Sequence, residues 1–336
     1  MRRHLLFLLL FGYSYVLYAQ TLVPLHSGAK TSLRGLSVVN DSVAWVSGSN
    51  GMYAISTDAG RTWKWDQLKL YEKLDFRDIE AFSDQKAVMG NAGTPSVILL
   101  TNDGGKSWKE VYRNESSEIF LDGIDFWDEK NGIIYGDPIN GQMVLLKTSD
   151  GGKSWKDIST NNPILLIKGE ASFAASGTGI RCGKNGKVWI ATGGTQSRIF
   201  YSADYGKNWE AYACPIIQGK NSTGPFSIAF YRNKGIAVGG DYLKDTSRVN
   251  NTLLSVDKGK TWTSALIPTF GYRSAVEYIS AKVLFATGPG GTDFSEDGGK
   301  SWQKLSDIGY HTVRKAKSGR LVLLSGSNGK IAQIRY

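Results

Sequence analysis

The sequence predicts an all-β protein, a seven-bladed β-propeller of four-stranded antiparallel blades. Three observations lead to this prediction. A turn motif of eight residues recurs six times, each copy follows a set of short apolar strands, and the C-terminus carries a seventh set that lacks only its outer strand. The 336 residues include 40 glycines, 8 prolines and 12% aromatic residues, a composition that suits many short strands joined by tight turns.

The repeated motif is S/T-x-D-x-G-x-S/T-W, with Asn208 replacing the second hydroxyl residue in the fourth copy. Its aspartate can accept hydrogen bonds from the following backbone N–H groups, and its glycine takes the positive φ that the turn needs. The tryptophan begins the next strand and buries a large ring between sheets. We interpret these residues as structural rather than as catalytic acids or calcium ligands. They are Asp58, Asp103, Asp150, Asp204, Asp257 and Asp297, with Trp63, Trp108, Trp155, Trp209, Trp262 and Trp302.

The spacing of the motifs predicts the number of blades. Six copies, 40 to 54 residues apart, indicate six four-stranded blades, and a seventh set of three strands begins near Tyr310. We expect residues 21–26 to supply the missing outer strand, which closes the ring and removes an open sheet edge. Pro24 is compatible with that place, because proline is tolerated on edge strands. The alternative is a six-bladed ring with a loose C-terminal hairpin.

Residues 1–19 have the pattern of a secretory signal peptide. A basic start at residues 2–4 precedes an apolar run that reaches Phe11, and Ala19 is the small residue before the expected cleavage point. The apolar run is shorter than a membrane-spanning helix, which leaves a short membrane anchor as the weaker alternative. We therefore expect an exported bacterial protein, periplasmic or extracellular, with no stable membrane insertion and with residues 21–336 as one propeller domain.

The net charge of +10 arises partly from the motif itself. Each copy carries one base, and these bases should lie around the rim of one face, either simply solvated or docking an acidic surface. Export argues against nucleic acid as the partner. The six bases are Arg61, Lys106, Lys153, Lys207, Lys260 and Lys300.

The two cysteines are expected to be free thiols. Cys182 should end the innermost strand of the fourth blade, and Cys214 its outermost strand at the opposite face. Their Cα atoms would then lie farther apart than the roughly 7 Å that a disulfide allows.

The candidate binding site is the mouth of the central channel, on the face opposite the repeated turns. Aligning the starts of the inner strands places four charged residues at one level: Arg34, Arg77, Asp122 and Arg273. Arginines at one level suit a carboxylate, phosphate or sulfate, whereas the alternative is ion pairing with Asp78 and Asp122. Glycine-rich loops, which either admit a ligand or merely form hairpins, add Asp137, Glu170, Thr178, Arg198, Asp241, Tyr242 and Asp293. The loop after the second strand of blade five is the longest and suggests a cover or a contact surface.

The motif copies resemble those of the BNR/Asp-box propellers over essentially the whole mature chain. The segment IDFWDEKNGIIYGD (124–137) and the dense DGGKSW boxes resemble most the bacterial group similar to the photosystem II stability/assembly factor. The superfamily also includes sialidases, other glycoside hydrolases and sortilin-type receptors. Resemblance to sialidases would imply an arginine triad, for which Arg34, Arg77 and Arg273 are the candidates, and a tyrosine nucleophile, Tyr242 or Tyr272. The chain lacks the R-I-P segment of sialidases and has seven predicted blades rather than their six.

Two functions remain open from the sequence. The first is a non-catalytic, exported binding or assembly propeller that engages a protein, peptide or anionic ligand at the channel mouth. The alternative is a sialidase-like glycoside hydrolase acting on acidic glycans, with Glu170 and either Asp241 or Asp293 as its acid pair. We expect a monomer without metal or cofactor, because the sequence has three histidines and no phosphate-binding loop or zinc motif.

Overall fold

The structure, a computed structural model, describes residues 20–26 and 28–336, so the predicted signal peptide lies outside the described residues. Within these ranges, strands make up seven antiparallel sheets, which confirms the predicted seven-bladed propeller. Three short 3-10 helices accompany them: Lys69–Tyr71, Lys184–Gly186 and Ser327–Gly329. No helix in this part of the chain is long and apolar enough to cross a membrane.

In blades one to six, the strands follow one another in chain order from the channel outwards. The chain enters on β1 (Thr21–Leu25) and forms blade one from β2 (Leu33–Val38), β3 (Ala44–Gly48), β4 (Met52–Ser56) and β5 (Lys64–Gln67). Blade two contains β6 (Asp75–Ala81), β7 (Ala87–Ala92), β8 (Ser96–Thr101) and β9 (Lys109–Asn114), and blade three β10 (Leu121–Phe126), β11 (Gly132–Ile139), β12 (Gln142–Thr148) and β13 (Lys156–Asp157). Blade four contains β14 (Glu170–Ala171), β15 (Ile180–Cys182), β16 (Val188–Gly194), β17 (Arg198–Ser202) and β18 (Glu210–Ala213).

The remaining blades follow the same plan. Blade five contains β19 (Thr223–Tyr231), β20 (Lys234–Asp241), β21 (Thr252–Ser255) and β22 (Thr263–Ser264), and blade six β23 (Ala275–Tyr278), β24 (Leu284–Gly288), β25 (Gly291–Ser295) and β26 (Gln303–Ser306). Blade seven contains β27 (Thr312–Lys315), β28 (Val322–Ser325) and β29 (Ile331–Arg335), with β1 as its outermost strand.

Burial follows the position of a strand in its blade. The second and third strands are apolar on both faces because each blade is packed between two neighbours. Every residue of β3 and of β8 is buried, for example, whereas no residue of β9 at the outer edge is buried. The hydrophobic clusters therefore lie between adjacent blades, as where Val88 of β7 packs with Ile124 of β10.

The repeated turn is held by its aspartate as predicted. In the second copy, the Asp103 carboxylate accepts hydrogen bonds from the Thr101 hydroxyl (2.8 Å), the Ser107 N–H (3.0 Å) and the Ser107 hydroxyl (2.6 Å). The Thr101 hydroxyl oxygen in turn accepts the N–H of Gly105 (3.0 Å), whose φ is +81°. In the fourth copy the Asn208 amide donates to Asp204 (2.7 Å) where a hydroxyl does so elsewhere, so this exception to the motif preserves the contact.

The ring closes through the N-terminal strand. β1 pairs antiparallel with β29, from Thr21 opposite Arg335 to Leu25 opposite Ile331. Pro24 lies on this edge strand, opposite Ala332, where a residue without an N–H is tolerated. The predicted closure is confirmed, and the six-bladed alternative is wrong.

Chain direction gives the propeller two different ends. The box face carries the repeated turns and the turns that follow the inner strands, and the funnel face carries the starts of the inner strands. All six motif bases are exposed on the box face, as predicted. Cys182 ends β15 at the box face and Cys214 follows β18 at the funnel face, and both are free thiols, as predicted.

The pH dependence of stability should reveal the box hydrogen bonds. They lower the pKa of Asp103 to about 2, below the roughly 3.9 of an unfolded aspartate. Its contribution is therefore complete above about pH 4 and is lost as the pH falls through 2. We expect Asp103→Asn to lower the thermal midpoint by a few degrees at pH 5 and by progressively less at pH 3 and pH 2, measured by circular dichroism. The exposed Asp84 of the same blade is the control, as Asp84→Asn, and a constant difference at all three pH values would contradict the assignment.

Deleting residues 20–25 should expose the edge of β29. We expect the thermal midpoint to fall by about 5 °C or more, and the variant to associate at high concentration through the unpaired edge. A synthetic peptide of residues 20–26 added in trans should restore the midpoint, whereas a scrambled peptide should not. An unchanged midpoint after the deletion would show that the β1–β29 pairing does not stabilise the ring.

Candidate functional site: the funnel cavity

A cavity of about 400 Å³ opens at the centre of the funnel face, where the inner strands begin. We call it the funnel cavity. The register of the inner strand shifts at this level in blades one, two, three and five, at Leu33/Gly35, Asp75/Asp78, Leu121/Gly123 and Pro225/Ser227. Because a bulge re-aims the unpaired residue, these irregularities explain how Arg34, Arg77, Asp122 and Phe226 come to line one cavity.

Two of the three predicted arginines line this cavity. Arg34 donates from Nη1 to the Ala175 carbonyl (2.8 Å), and Arg77 donates from Nε to the Asp75 carboxylate (2.7 Å). Both side chains are half-buried, and burial together with the nearby Arg77 lowers the pKa of Arg34. An anionic group placed between the two guanidinium groups would relieve this repulsion. The predicted alternative, pairing with Asp78 and Asp122, is wrong, because the partner of Arg77 is Asp75.

Asp122 is the most unusual residue of the cavity. It is 2% exposed, and neither carboxylate oxygen has a hydrogen-bond partner among the described residues. Burial, and then the neighbouring Asp137, raise the pKa of Asp122 well above its usual value. The shift favours the neutral form of the carboxyl group, which offers both a donor and an acceptor. A buried polar group without a partner indicates a place where a ligand group completes the hydrogen bonding.

Asp137 lies beside Asp122 and is partly engaged. Its Oδ1 accepts the N–H of Ser172 (3.0 Å), and burial raises the pKa of its carboxyl group. His311 lines the same cavity, and burial and the nearby Arg34 lower its pKa to about 3, so its ring is neutral at pH 7. Arg34 and Arg77 are therefore the positively charged groups that line the cavity at neutral pH.

One side of the cavity is aromatic. Phe173 and Phe226 stack with ring centroids 3.9 Å apart, and the rings of Tyr242 and Tyr272 meet Phe226 edge-on at 6.0 and 4.8 Å. Tyr242 is 47% exposed and begins the long loop between β20 and β21. That loop also exposes Leu243 and Val249, at 76% and 67%, as expected for a contact surface.

Four of the predicted site residues instead form buried ion pairs. Glu170, 1% exposed, accepts both Nε (2.9 Å) and Nη2 (2.6 Å) of Arg198, which joins β14 to β17 within blade four. Arg273 and Asp293, both 0% exposed, form a bidentate pair at 2.7 and 3.0 Å within blade six. The triad of Arg34, Arg77 and Arg273 is therefore not assembled, and none of these four residues lines the funnel cavity.

Thr178 and Asp241 are also internal. The Thr178 hydroxyl is buried in the channel with the hydroxyls of Ser176 and Ser227, each 2.6 Å away. Asp241, 4% exposed, accepts the N–H of Leu243 (3.0 Å) and holds the start of the blade-five loop. Both residues shape the site without lining its cavity.

Residues 172–179, which we call the crossing segment, close the channel. They lie between β14 and β15 of blade four and reach the other blades: Ser176 Oγ donates to the Ser274 carbonyl of blade six (2.6 Å), and Arg34 of blade one binds Ala175. Gly177 has a φ of +67°, and a Cβ there would collide with the Asp78 carboxylate of blade two. The crossing segment is therefore the floor of the funnel cavity. The sequence predicted that the inner strand of blade four begins near Ser176, but in the structure it begins at Ile180.

Among the cavity residues absent from the predicted channel-mouth set are Phe173 and Tyr272, the latter considered only as a nucleophile in the sialidase alternative. Phe173 belongs to the glycine-rich entry to blade four, the one inner-strand entry without alternating apolar residues, and this was the available signal. Tyr272 immediately precedes the aligned Arg273, and only the structure shows that the tyrosine rather than the arginine faces the cavity.

Comparison with known proteins places these features in context. A family model described as "Photosynthesis system II assembly factor YCF48" matches residues 64–165, from the last strand of blade one through blade three. A search of curated proteins gave no match.

Solved structures match nearly the whole chain. One is titled "YCF48 bound to D1 peptide" (TM-score 0.68, 16% identity, covering 95% of this chain and 96% of that one), and another "YCF48 from Cyanidioschyzon merolae" (0.66, 15%, 95% and 99%). A Niastella koreensis GH74 enzyme also matches (0.56, 14%, 91% of this chain and 43% of that one). At these identities the structural likeness is one of fold. The chain thus resembles the YCF48-like assembly factors in sequence over residues 64–165 and in fold over almost its whole length, which confirms the predicted resemblance.

Proposed function

We propose that this chain is an exported, non-catalytic propeller that binds a peptide or protein segment in the funnel cavity. The observation that carries the proposal is the buried Asp122 carboxyl, without a hydrogen-bond partner among the described residues, in one cavity with Arg34 and Arg77. The cavity lies where all blades converge, which is where propellers commonly bind. Its volume suits part of an extended chain rather than a folded domain.

The chemistry of the cavity suits a peptide backbone. Carbonyl oxygens would accept from the arginines and from the neutral form of Asp122, and N–H groups would donate to Asp122 and Asp137. Apolar side chains of the same segment would meet Tyr242, Leu243 and Val249 at the rim. The fold shared with the structure titled "YCF48 bound to D1 peptide" supports a peptide as the partner.

The charge of the cavity favours an anionic group within that segment. The two guanidinium groups repel each other, and burial favours the neutral form of Asp122. A side-chain or terminal carboxylate placed between Arg34 and Arg77 would form charge-assisted hydrogen bonds, which are roughly twice as strong as neutral ones.

The acids predicted for the glycoside hydrolase alternative do not line the funnel cavity. Glu170 and Asp293, proposed as its acids, are each bound bidentately by an arginine in the protein interior. Asp241 is buried under its own loop. A general acid and a base must both reach the substrate, and the positions of these residues do not allow it.

Binding by the arginines can be tested with peptides selected on the protein from a displayed library of random 12-residue peptides. We expect acidic residues to be enriched, and we expect the double variant Arg34→Gln, Arg77→Gln to weaken binding by about 10- to 100-fold in calorimetry. Arg61→Gln on the box face is the matched control and should leave the affinity unchanged. Selection of no peptides, or unchanged binding by the double variant, would overturn the proposal.

The proposal that the propeller is not a hydrolase has a separate test. Purified protein should release no product from sialylated or uronate-containing oligosaccharides. Turnover that is lost in Asp122→Asn or Asp137→Asn would instead establish a hydrolase in this cavity.

A further inference from the structure

A second, larger cavity of about 1020 Å³ opens on the box face. We call it the box-face cavity. It lies on the other side of the crossing segment from the funnel cavity, so the two share the channel but not their openings. Five charged residues lie around its floor, at equivalent positions near the ends of the inner strands. Their partners in the strand register are Val88, Ile133, Trp189, Phe285 and Leu323 of the neighbouring second strands. The five charged residues are Glu80, Asp125, Arg181, Glu277 and Arg314, one from each of five blades.

Two of the three carboxylates already have cationic partners. Arg181 donates to Glu277 (3.0 Å) and also to the Ile228 carbonyl (2.8 Å), so its guanidinium is held between blades. Glu80 forms an ion pair with Lys317. The Asp125 carboxylate accepts only backbone donors, the N–H of Phe126 and of Cys182, and no ion pair among the described residues includes it.

The three carboxylates repel one another. Burial, and then the charge of Glu80, raise the pKa of Asp125 to about 7, although Arg181 opposes the shift. Burial raises the pKa of Glu277 as well, and Asp125 contributes to it. The floor as a whole is balanced in charge, because Arg314 and Lys317 also line the cavity. Around Asp125, however, Arg181 does not fully offset burial and the charge of Glu80, and a cation placed beside Asp125 would favour its ionised form.

The wall next to Asp125 is aromatic. Phe82, Phe126, Trp127 and Phe230 line the cavity and are half-buried, and the Phe82 and Phe126 rings meet edge-on at 4.9 Å. The ring of Phe82 already faces two ammonium groups, those of Lys86 and Lys317, at 4.5 and 5.2 Å. Such a wall accommodates an apolar stem and stabilises a cation by its ring faces.

The rim is mixed in charge, with a small excess of basic residues. Lys184 and Arg232 are exposed at the mouth and Lys187 is half-buried there, whereas Asp128 and Glu129 are the exposed acidic residues of the lining. This excess disfavours a ligand with several positive charges. The complementary ligand carries one cation that reaches the floor, with neutral or acidic groups remaining at the rim.

We propose that the box-face cavity is a second binding site, which takes a single guanidinium or ammonium group on an apolar stem, as an arginine or lysine side chain of a peptide carries it. The cation lies against Asp125 and the aromatic wall, and acidic neighbours in the peptide meet Lys184 and Arg232. The site is independent of the peptide proposed for the funnel cavity.

The test is binding of a fluorescein-labelled peptide, acetyl-Glu-Gly-Gly-Arg-Gly-Gly-Glu-amide, to the purified protein, followed by fluorescence anisotropy. A second peptide has citrulline, the neutral isostere, in place of arginine. We expect the arginine peptide to bind at least about tenfold more tightly, since only it forms charged hydrogen bonds with the floor. Equal affinities for the two peptides would overturn the proposal.

Variants locate the site. Asp125→Asn should lower the affinity for the arginine peptide by about tenfold. Lys184→Glu, at an exposed residue of the rim, should raise that affinity about two- to threefold without changing the floor. The double variant Arg34→Gln, Arg77→Gln should leave this affinity unchanged, whatever it does to binding in the funnel cavity. Loss of binding in that double variant, with no effect of Lys184→Glu, would place the peptide in the funnel cavity and overturn the proposal.

The pH dependence has a fixed sign. Between pH 8 and pH 6 Asp125 becomes protonated while the guanidinium stays charged, so binding should weaken by about tenfold, and Asp125→Asn should remove most of this change. The other charged or titratable groups that face the same space set the residual dependence: Glu80, Glu277, Arg181, Cys182, Arg314, Lys315 and Lys317. Tighter binding at pH 6 would contradict the assignment.

Competition by spermidine distinguishes a free polyamine from a peptide side chain as the source of the cation. We expect spermidine to displace the arginine peptide only weakly, because the rim has an excess of basic residues. Effective displacement would instead identify a free polyamine as the ligand.

Discussion

The antiparallel pairing of β1 with β29 is the contact on which the rest of the propeller depends. The second and third strands of the blades are apolar on both faces, so each sheet needs a neighbour on either side. A ring meets this requirement for all seven sheets only when it is closed. Because the closing strand comes from the other end of the chain, the first and last parts of the propeller are held in one sheet, and both cavities along its axis acquire a complete wall.

The fold could be predicted from the sequence because its information is local. The aspartate, glycine and tryptophan of each box act within eight residues, and their repetition counts the blades. Asn208 shows how local this information is, since an amide in one box replaces a hydroxyl and makes the same contact with Asp204. The closing strand was predictable for a related reason: an incomplete seventh unit and an unassigned N-terminal segment match only each other.

The site was less predictable because it depends on strand register and on distant partners. Arg34 and Arg77 face the cavity because irregularities in β2 and β6 turn them there. Arg273 occupies the aligned position in blade six, but β23 begins only at Ala275 and has no register shift, so the arginine turns to Asp293 on β25. The pairing of Glu170 with Arg198, 28 residues apart, likewise has no signature in the motif. Aligning the repeats predicts which residues lie at the same height along the channel. Whether a side chain faces the cavity depends on the strand register, and a shift of one residue reverses its direction.

The crossing segment has a consequence for symmetry. Seven repeats of nearly one plan would give an axis with seven nearly equal sides, on which a ligand could bind in many rotations of similar energy. Eight residues from blade four occupy that axis and touch the other blades unequally. They divide the central channel into two pockets, each closed at one end, and neither pocket has the approximate sevenfold symmetry of the blades. A ligand in either pocket meets one arrangement of charges rather than seven, so orientation is specified by a segment that carries no part of the repeat.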